Sequence, residues 1–152
     1  MSAETRTTAQ LVQQIREGML PAVGTTMNGE EMISLITELL KVAGHPKFVT
    51  VMVDQTGRPA EYPGIEGFKE GLSDWISPYE RYRLTIDEVL EAGDDALVIL
   101  VTQGGVTKHD GVEVESPGAT VWWLEDGAIR QAVFYIDQSA ALKAAGLDPA
   151  SF

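Results

Sequence analysis

Two carboxylates stand where acid–base chemistry could use them. Asp54 closes the run Lys-Phe-Val-Thr-Val-Met-Val-Asp (47–54), and Glu88 shares strand parity with Tyr82, Leu84, Ile86 and Leu90. A carboxylate at a pocket rim can take an acidic proton, and one forced onto a buried face has its pKa raised by desolvation. Each has a plainer reading. Asp54 precedes Gln55-Thr56-Gly57 and suits an exposed turn, while a β-bulge would turn Glu88 outward. Tyr62 and Tyr79 flank a helical segment and could donate hydrogen bonds at a pocket mouth, or simply cover a core.

Other chemistries are disfavoured by what is missing. The chain has no cysteine, so disulfides, thiolate metal sites and a cysteine nucleophile are excluded. His45 lies in a Gly-His-Pro helix stop and His109 in a hairpin turn, without metal-ligand spacing, so no metal is expected. No Gly-x-Ser-x-Gly elbow or phosphate loop is found, and no cofactor is expected. Asp137 reads as the N-cap of a helix Gln138–Ala145 that Gly146 ends.

The elements that must hold these residues follow from periodicity. Leu11, Ile15 and Met19 recur every fourth residue, predicting a helix over Thr7–Leu20 that Pro21 ends. Asn28 and Glu31 form a capping-box pair before a helix that Gly44 closes. A third helix is expected from Ile65 to Ile76, with Phe68, Leu72, Trp75 and Ile76 on its buried side. Period-two alternation makes 47–54 a strand. Four more are expected: Arg81–Glu91, Ala96–Gln103, Val112–Leu124 (with a possible break at Ser116-Pro117-Gly118) and Ala128–Ile136. Turns at Gly93-Asp94-Asp95, His109-Asp110-Gly111 and Glu125-Asp126-Gly127 make neighbours antiparallel. The run Ala96–Val101 is apolar on both faces, which suggests a homodimer covering one of them.

Net charge is −12, which disfavours nucleic acid and anionic membrane surfaces. It would attract a cationic ligand, or serve solubility alone. With 44% hydrophobic and 22% charged residues over 152 positions, one ordered domain spanning 1–152 is expected. No run approaches the length of a membrane span, and Met1–Arg6 lacks the form of a signal peptide. A cytoplasmic protein is the expectation.

Helices followed by a long meander ending in Val-Trp-Trp-Leu-Glu-Asp-Gly-Ala-Ile-Arg-Gln-Ala-Val-Phe-Tyr-Ile-Asp (121–137) resemble the nuclear transport factor 2-like superfamily. The closing stretch Phe-Tyr-Ile-Asp-Gln-Ser-Ala-Ala-Leu-Lys-Ala-Ala-Gly-Leu (134–147) and the turn Ala92-Gly93-Asp94 are similar to its SnoaL-like, polyketide cyclase-like branch. The resemblance spans about Thr7 to Leu147. It implies an α+β cone: three N-terminal helices on a curved, mainly antiparallel sheet, with a short C-terminal helix. It also implies an apolar cavity for a small molecule and frequently a homodimer. Members include cyclases, isomerases, hydrolases, dehydratases and non-catalytic binders, so fold alone does not give function.

Gly127 anchors the register for testing those activities. The acid of ketosteroid isomerases lies eight residues before that glycine, where this chain has Ala119. Their assisting tyrosine belongs to the first helix, which has none here. The epoxide-hydrolase-like aspartate lies seven residues after it, where this chain has Phe134. Asp54 falls near the isomerase base. The same register predicts a pocket wall of Ala119, Val121 and Trp123 on one strand and Ala132, Phe134 and Ile136 on the next, with Trp75, Tyr62 and Tyr79 nearby. Alternatively, Trp123 and Phe134 fill the core. Two functions remain: proton-transfer chemistry on an apolar carbonyl compound (cyclisation, isomerisation or dehydration), with Asp54 or Glu88 as base, or a non-catalytic ligand-binding or dimerisation module.

Overall fold

The structure, a computed structural model, describes residues 7–54 and 56–151. Met1–Arg6 and Gln55, both read above, and the side chain of Met19 lie outside the described residues. Thr7 caps α1 (Thr8–Gln14): its hydroxyl accepts from Gln10 N, and its own N–H donates to Gln10 Oε1. The helix expected over 7–20 is not one α-helix. After Gln14 the chain widens into a π turn, Ile15–Met19, where Gly18 takes φ 145°. Leu11 and Ile15 are buried, as their stripe requires.

A short strand β1 (Thr26–Asn28) leads into α2 (Gly29–Ala43). Here the capping box is present: Asn28 Oδ1 accepts from Glu31 N at 2.8 Å, and Glu31 Oε1 accepts from Asn28 N at 3.0 Å. Gly44 ends α2 in an extended conformation and starts β2 (Gly44–Val53) directly. A side chain there would put its Cβ 2.5 Å from Leu40 O, so close approach rather than a left-handed turn demands the glycine. Then come β3 (Pro59–Pro63), α3 (Gly64–Ile76), β4 (Tyr79–Ala92), β5 (Ala96–Thr107), β6 (Glu113–Glu125), β7 (Ala128–Tyr135) and α4 (Gln138–Ala144). Asp137 caps α4 by accepting from Ser139 N.

The fold is α+β, with a curved mixed sheet in the order β1-β4-β5-β6-β7-β2-β3. Its pairs are antiparallel except β2 with β7. The expectation of three N-terminal helices needs correcting: four helices are described, α1 is short, and α3 follows the β2–β3 hairpin. β6 runs unbroken through Ser116-Pro117-Gly118, paired to β5. No helix among the described residues is long and apolar enough to cross a membrane.

Two apolar clusters divide the sheet's faces. The inner one joins α1, α2 and α3 to Leu97, Ile99, Val101, Trp122, Ala132 and Phe134. The outer one joins Ala96, Val98, Leu100, Ala119 and Val121 to Ala141 and Leu142 of α4. The double-sided apolar character of β5 is therefore met within the chain, since α4 covers the face that suggested a second subunit.

Candidate functional site

The inner cluster is not completely filled. Met27, Met32, Ile36, Leu84, Trp122 and Phe134 are among the residues around a cavity with about 40 Å³ of room for water centres. That is space for roughly three waters or one small group. A second space of about 10 Å³ lies against Trp75, Tyr82 and Gln103. The two share Met32, Leu84, Val101, Thr120 and Phe134 as walls, so they adjoin.

Polar groups in this interior are few; among the described residues Thr37 Oγ1, Thr50 Oγ1 and Trp122 Nε1 are buried without a hydrogen-bond partner, and of these three residues only Trp122 lines a cavity. Gln103, 7% exposed, accepts at Oε1 from Tyr82 Oη at 2.7 Å and from Trp75 Nε1 at 3.0 Å. Burial pushes the Tyr82 phenol pKa up, with the neighbouring Tyr79 adding to the shift, so Tyr82 stays a neutral donor. Trp122 is different. Its indole, 2% exposed, carries an Nε1–H with no hydrogen-bond partner among the described residues. A buried donor left unmade costs about 1–3 kcal/mol, and Trp122 is one of the residues around the larger cavity.

Of the six residues expected as a wall, Ala119 and Phe134 line these cavities, and Ala132 does not. Ala132 and Phe134 face inward on β7, but Ala119, Val121 and Trp123 lie on the outer face of β6, toward α4. Thr120 and Trp122 take the inner face instead. The cause is one residue. Leu124 pairs with Ile129, yet Trp123 pairs with Gln131, so Arg130 is an extra residue on β7. Simple counting from the Asp126-Gly127 turn sets Val121 opposite Ala132; the bulge sets Trp122 there. Ala119 still borders the smaller space. Ile136 lies past the end of β7, half-buried, and lines neither cavity.

Neither candidate base reaches the interior. Glu88 is exposed because the β4–β5 register slips between Ile86 and Glu88, turning it outward. Asp54 is exposed and holds a turn: Oδ1 accepts from Thr56 N, Thr56 Oγ1 and Arg58 N. The Thr56 hydroxyl, then the backbone bonds, hold its pKa below the usual value, which weakens it as a base. No carboxylate, histidine, lysine or arginine among the described residues lines either cavity.

Trp75 lines the smaller space, packs its ring 6.3 Å from that of Phe134, and reaches the surface. There it borders an open groove of about 400 Å³ with Asp54, Arg58, Tyr62 and Asp74. Tyr79 is half-buried and packs its ring 5.7 Å from Tyr82. Sequence reading missed Gln103, which it took as a strand end, and Trp122, which it assigned to the wrong face. The isolated amide after an apolar run was the available signal for the first.

Among the described residues one group could hold a metal: the ligand atoms of His45, Glu125 and Asp126 lie within 4.8 Å of one another. Distance along the chain hid it from sequence reading. The hydrogen bonds disfavour a metal there. Lys47 N donates to His45 Nδ1 at 2.9 Å, which leaves the ring proton on Nε2, facing Glu125 Oε2 at 3.3 Å. A metal on Nε2 would require moving that proton and giving up the Lys47 bond.

A family model for the SnoaL-like domain matches residues 41–132, more than half of the chain. A search of curated protein sequences finds no match. Among solved structures, a candidate SnoaL-like polyketide cyclase from Jannaschia sp. CCS1 is similar, with 16% identity, TM-score 0.58 and 98% of each chain covered. TerC, co-crystallised with polyporic acid, has 21% identity and TM-score 0.55, covering 78% of this chain and 92% of its own. A Catenulispora acidiphila protein with a ketosteroid isomerase-like fold, in complex with trimethylamine, has 20% identity and TM-score 0.55, covering 96% and 98%.

Proposed function

This chain belongs to the SnoaL-like domain family, and on that premise we propose that it binds a small, largely apolar molecule carrying a hydrogen-bond acceptor such as a ketone oxygen. The observation that carries the reading is Trp122, whose indole N–H is buried without a partner among the described residues and whose side chain is one of those around the larger cavity. An acceptor on the ligand would satisfy it, while apolar walls bury the rest of the molecule. Proton-transfer catalysis on a carbonyl compound would need a base beside the ligand. The described carboxylates Asp54 and Glu88 are exposed, so binding is the reading advanced.

Cyclohexanone tests it against methylcyclohexane, which has the same ring and no acceptor. In a nitrogen-15 spectrum the three tryptophans give separate indole signals. Saturable movement of the Trp122 signal with the ketone, and loss of the ketone's advantage in Trp122→Phe, is the expected result. Equal binding of the two probes, or no saturable shift, overturns the reading.

A further inference from the structure

Among the described residues, Trp75 alone lines both the open groove and the smaller interior space. It stands near the C-terminus of α3, half-buried, so one edge of its indole meets solvent. Its indole makes one side-chain hydrogen bond, Nε1 to Gln103 Oε1 at 3.0 Å. That oxygen keeps a second donor, Tyr82 Oη, whether or not Trp75 is in place. Breaking the Trp75 bond therefore strands no buried acceptor, and the freed N–H can turn to water. On its inner side the ring meets Phe134, which borders both interior cavities. A side chain that separates groove from interior, held by one exchangeable bond, has the construction of a gate.

We propose that the Trp75 indole is the gate between the groove at Asp54, Arg58 and Tyr62 and the interior, with Gln103 as its latch. The idea rests on the binding reading above, because a gate matters when something enters. Passage runs from the groove past Phe134 to Trp122. The ketone oxygen of an incoming ligand can accept from the released Trp75 N–H on the way, so the latch donor serves as a transient contact. The rival wall is Leu20, which alone among the described residues lines both the larger cavity and a smaller surface depression beside Pro21.

Hydrogen exchange of the Trp122 indole proton in the ligand-free protein tests the gate without any ligand. Trp75→Phe keeps a ring but loses the latch bond, and it should speed that exchange roughly five- to ten-fold. Trp75→Ala should speed it further. Backbone amides of β5 and β6 should exchange at their usual rates in both, which separates a local opening from a general loss of stability. The association rate of cyclohexanone should rise in parallel. Unchanged indole exchange in both variants, or acceleration by Leu20→Ala instead, overturns the gate. If cyclohexanone fails to bind but Trp75→Phe still speeds exchange, the binding reading falls and the gate stands as a water route.

Discussion

Tyr82 Oη donates to Gln103 Oε1 at 2.7 Å, and the same oxygen accepts from Trp75 Nε1 at 3.0 Å. Two donors on one oxygen fix which end of the amide is which. Gly118 completes the seat, since a Cβ there would meet Gln103 Nε2 at 2.9 Å. Gln103→Leu removes the shared acceptor and strands a hydroxyl on a residue 5% exposed. It should lower unfolding free energy by about 1–3 kcal/mol. Tyr82→Phe leaves Gln103 paired to Trp75 and should cost about 1 kcal/mol. Urea denaturation ranks the two, and the reverse order would mean that the shared bond is not made.

Tyr82 also gives the protein an alkaline limit. Its phenol pKa is raised by burial from an ordinary value of 10.0. Above that value the unfolded chain releases the proton while the folded chain keeps it, so the unfolded state binds fewer protons and stability falls as pH rises. Below it the contribution is fully present. The urea midpoint of the wild type should drop as pH rises above the ordinary value of 10.0, and Tyr82→Phe should flatten that drop.

How much of this was legible depended on whether a feature is local. Asn28 with Glu31, Asp137 before α4, and the Asp126-Gly127 turn each act within a few residues, and the structure has all three. Asp126 and Gly127 both take positive φ, 53° and 73°, as a two-residue hairpin turn needs. The β7 bulge at Arg130 is not local. It follows from fitting the inner faces of two strands to one core, and it reversed the expected face of β6 while Ala132 and Phe134 stay on the inner face. The bulge beside Glu88 is also set by fitting two strands to one core; the sequence offered it as one of two readings of Glu88, and the β4–β5 register has it. β1 and β3 are short strands whose pairing comes from β4 and β2 rather than from their own pattern. His45 and Glu125 meet only because β2 lies parallel to β7.

Asp54 has a structural role that pH can isolate. Its lowered pKa arises from the Thr56 hydroxyl bond first, then backbone bonds in the turn. A carboxylate with a depressed folded pKa adds stability above its unfolded value, near 3.8, and loses it as pH falls through the folded value. Asp54→Ala should therefore be less stable than the wild type at neutral pH and equal to it in strong acid. Thermal unfolding followed across that range checks this. A pH-independent difference would assign the effect to packing instead.

Glu88 tests whether an exposed carboxylate contributes to the interior. Because the β4 bulge turns it to solvent, Glu88→Gln should leave cyclohexanone affinity within about two-fold and stability within about 0.5 kcal/mol of wild type. A large loss of binding with unchanged stability would return Glu88 to the site and revive acid–base chemistry as a reading.

The outer face makes the last test. Leu142 of α4, 4% exposed, shares a cluster with Val98 of β5 and Val121 of β6, both fully buried. Leu142→Ala removes buried methyl groups from a helix of two turns that has no long neighbour to close the gap. A loss of about 2–4 kcal/mol is expected by urea denaturation. Ending the chain at Asp137 goes further, baring Ala96, Val98, Leu100 and Val121 together. A contiguous apolar strip on a sheet face associates, so the shortened chain should elute as a dimer or larger species at concentrations where the whole chain does not. If it elutes as a monomer, and Leu142→Ala costs less than about 1 kcal/mol, then α4 is not what keeps this face of the sheet from solvent or from a second chain.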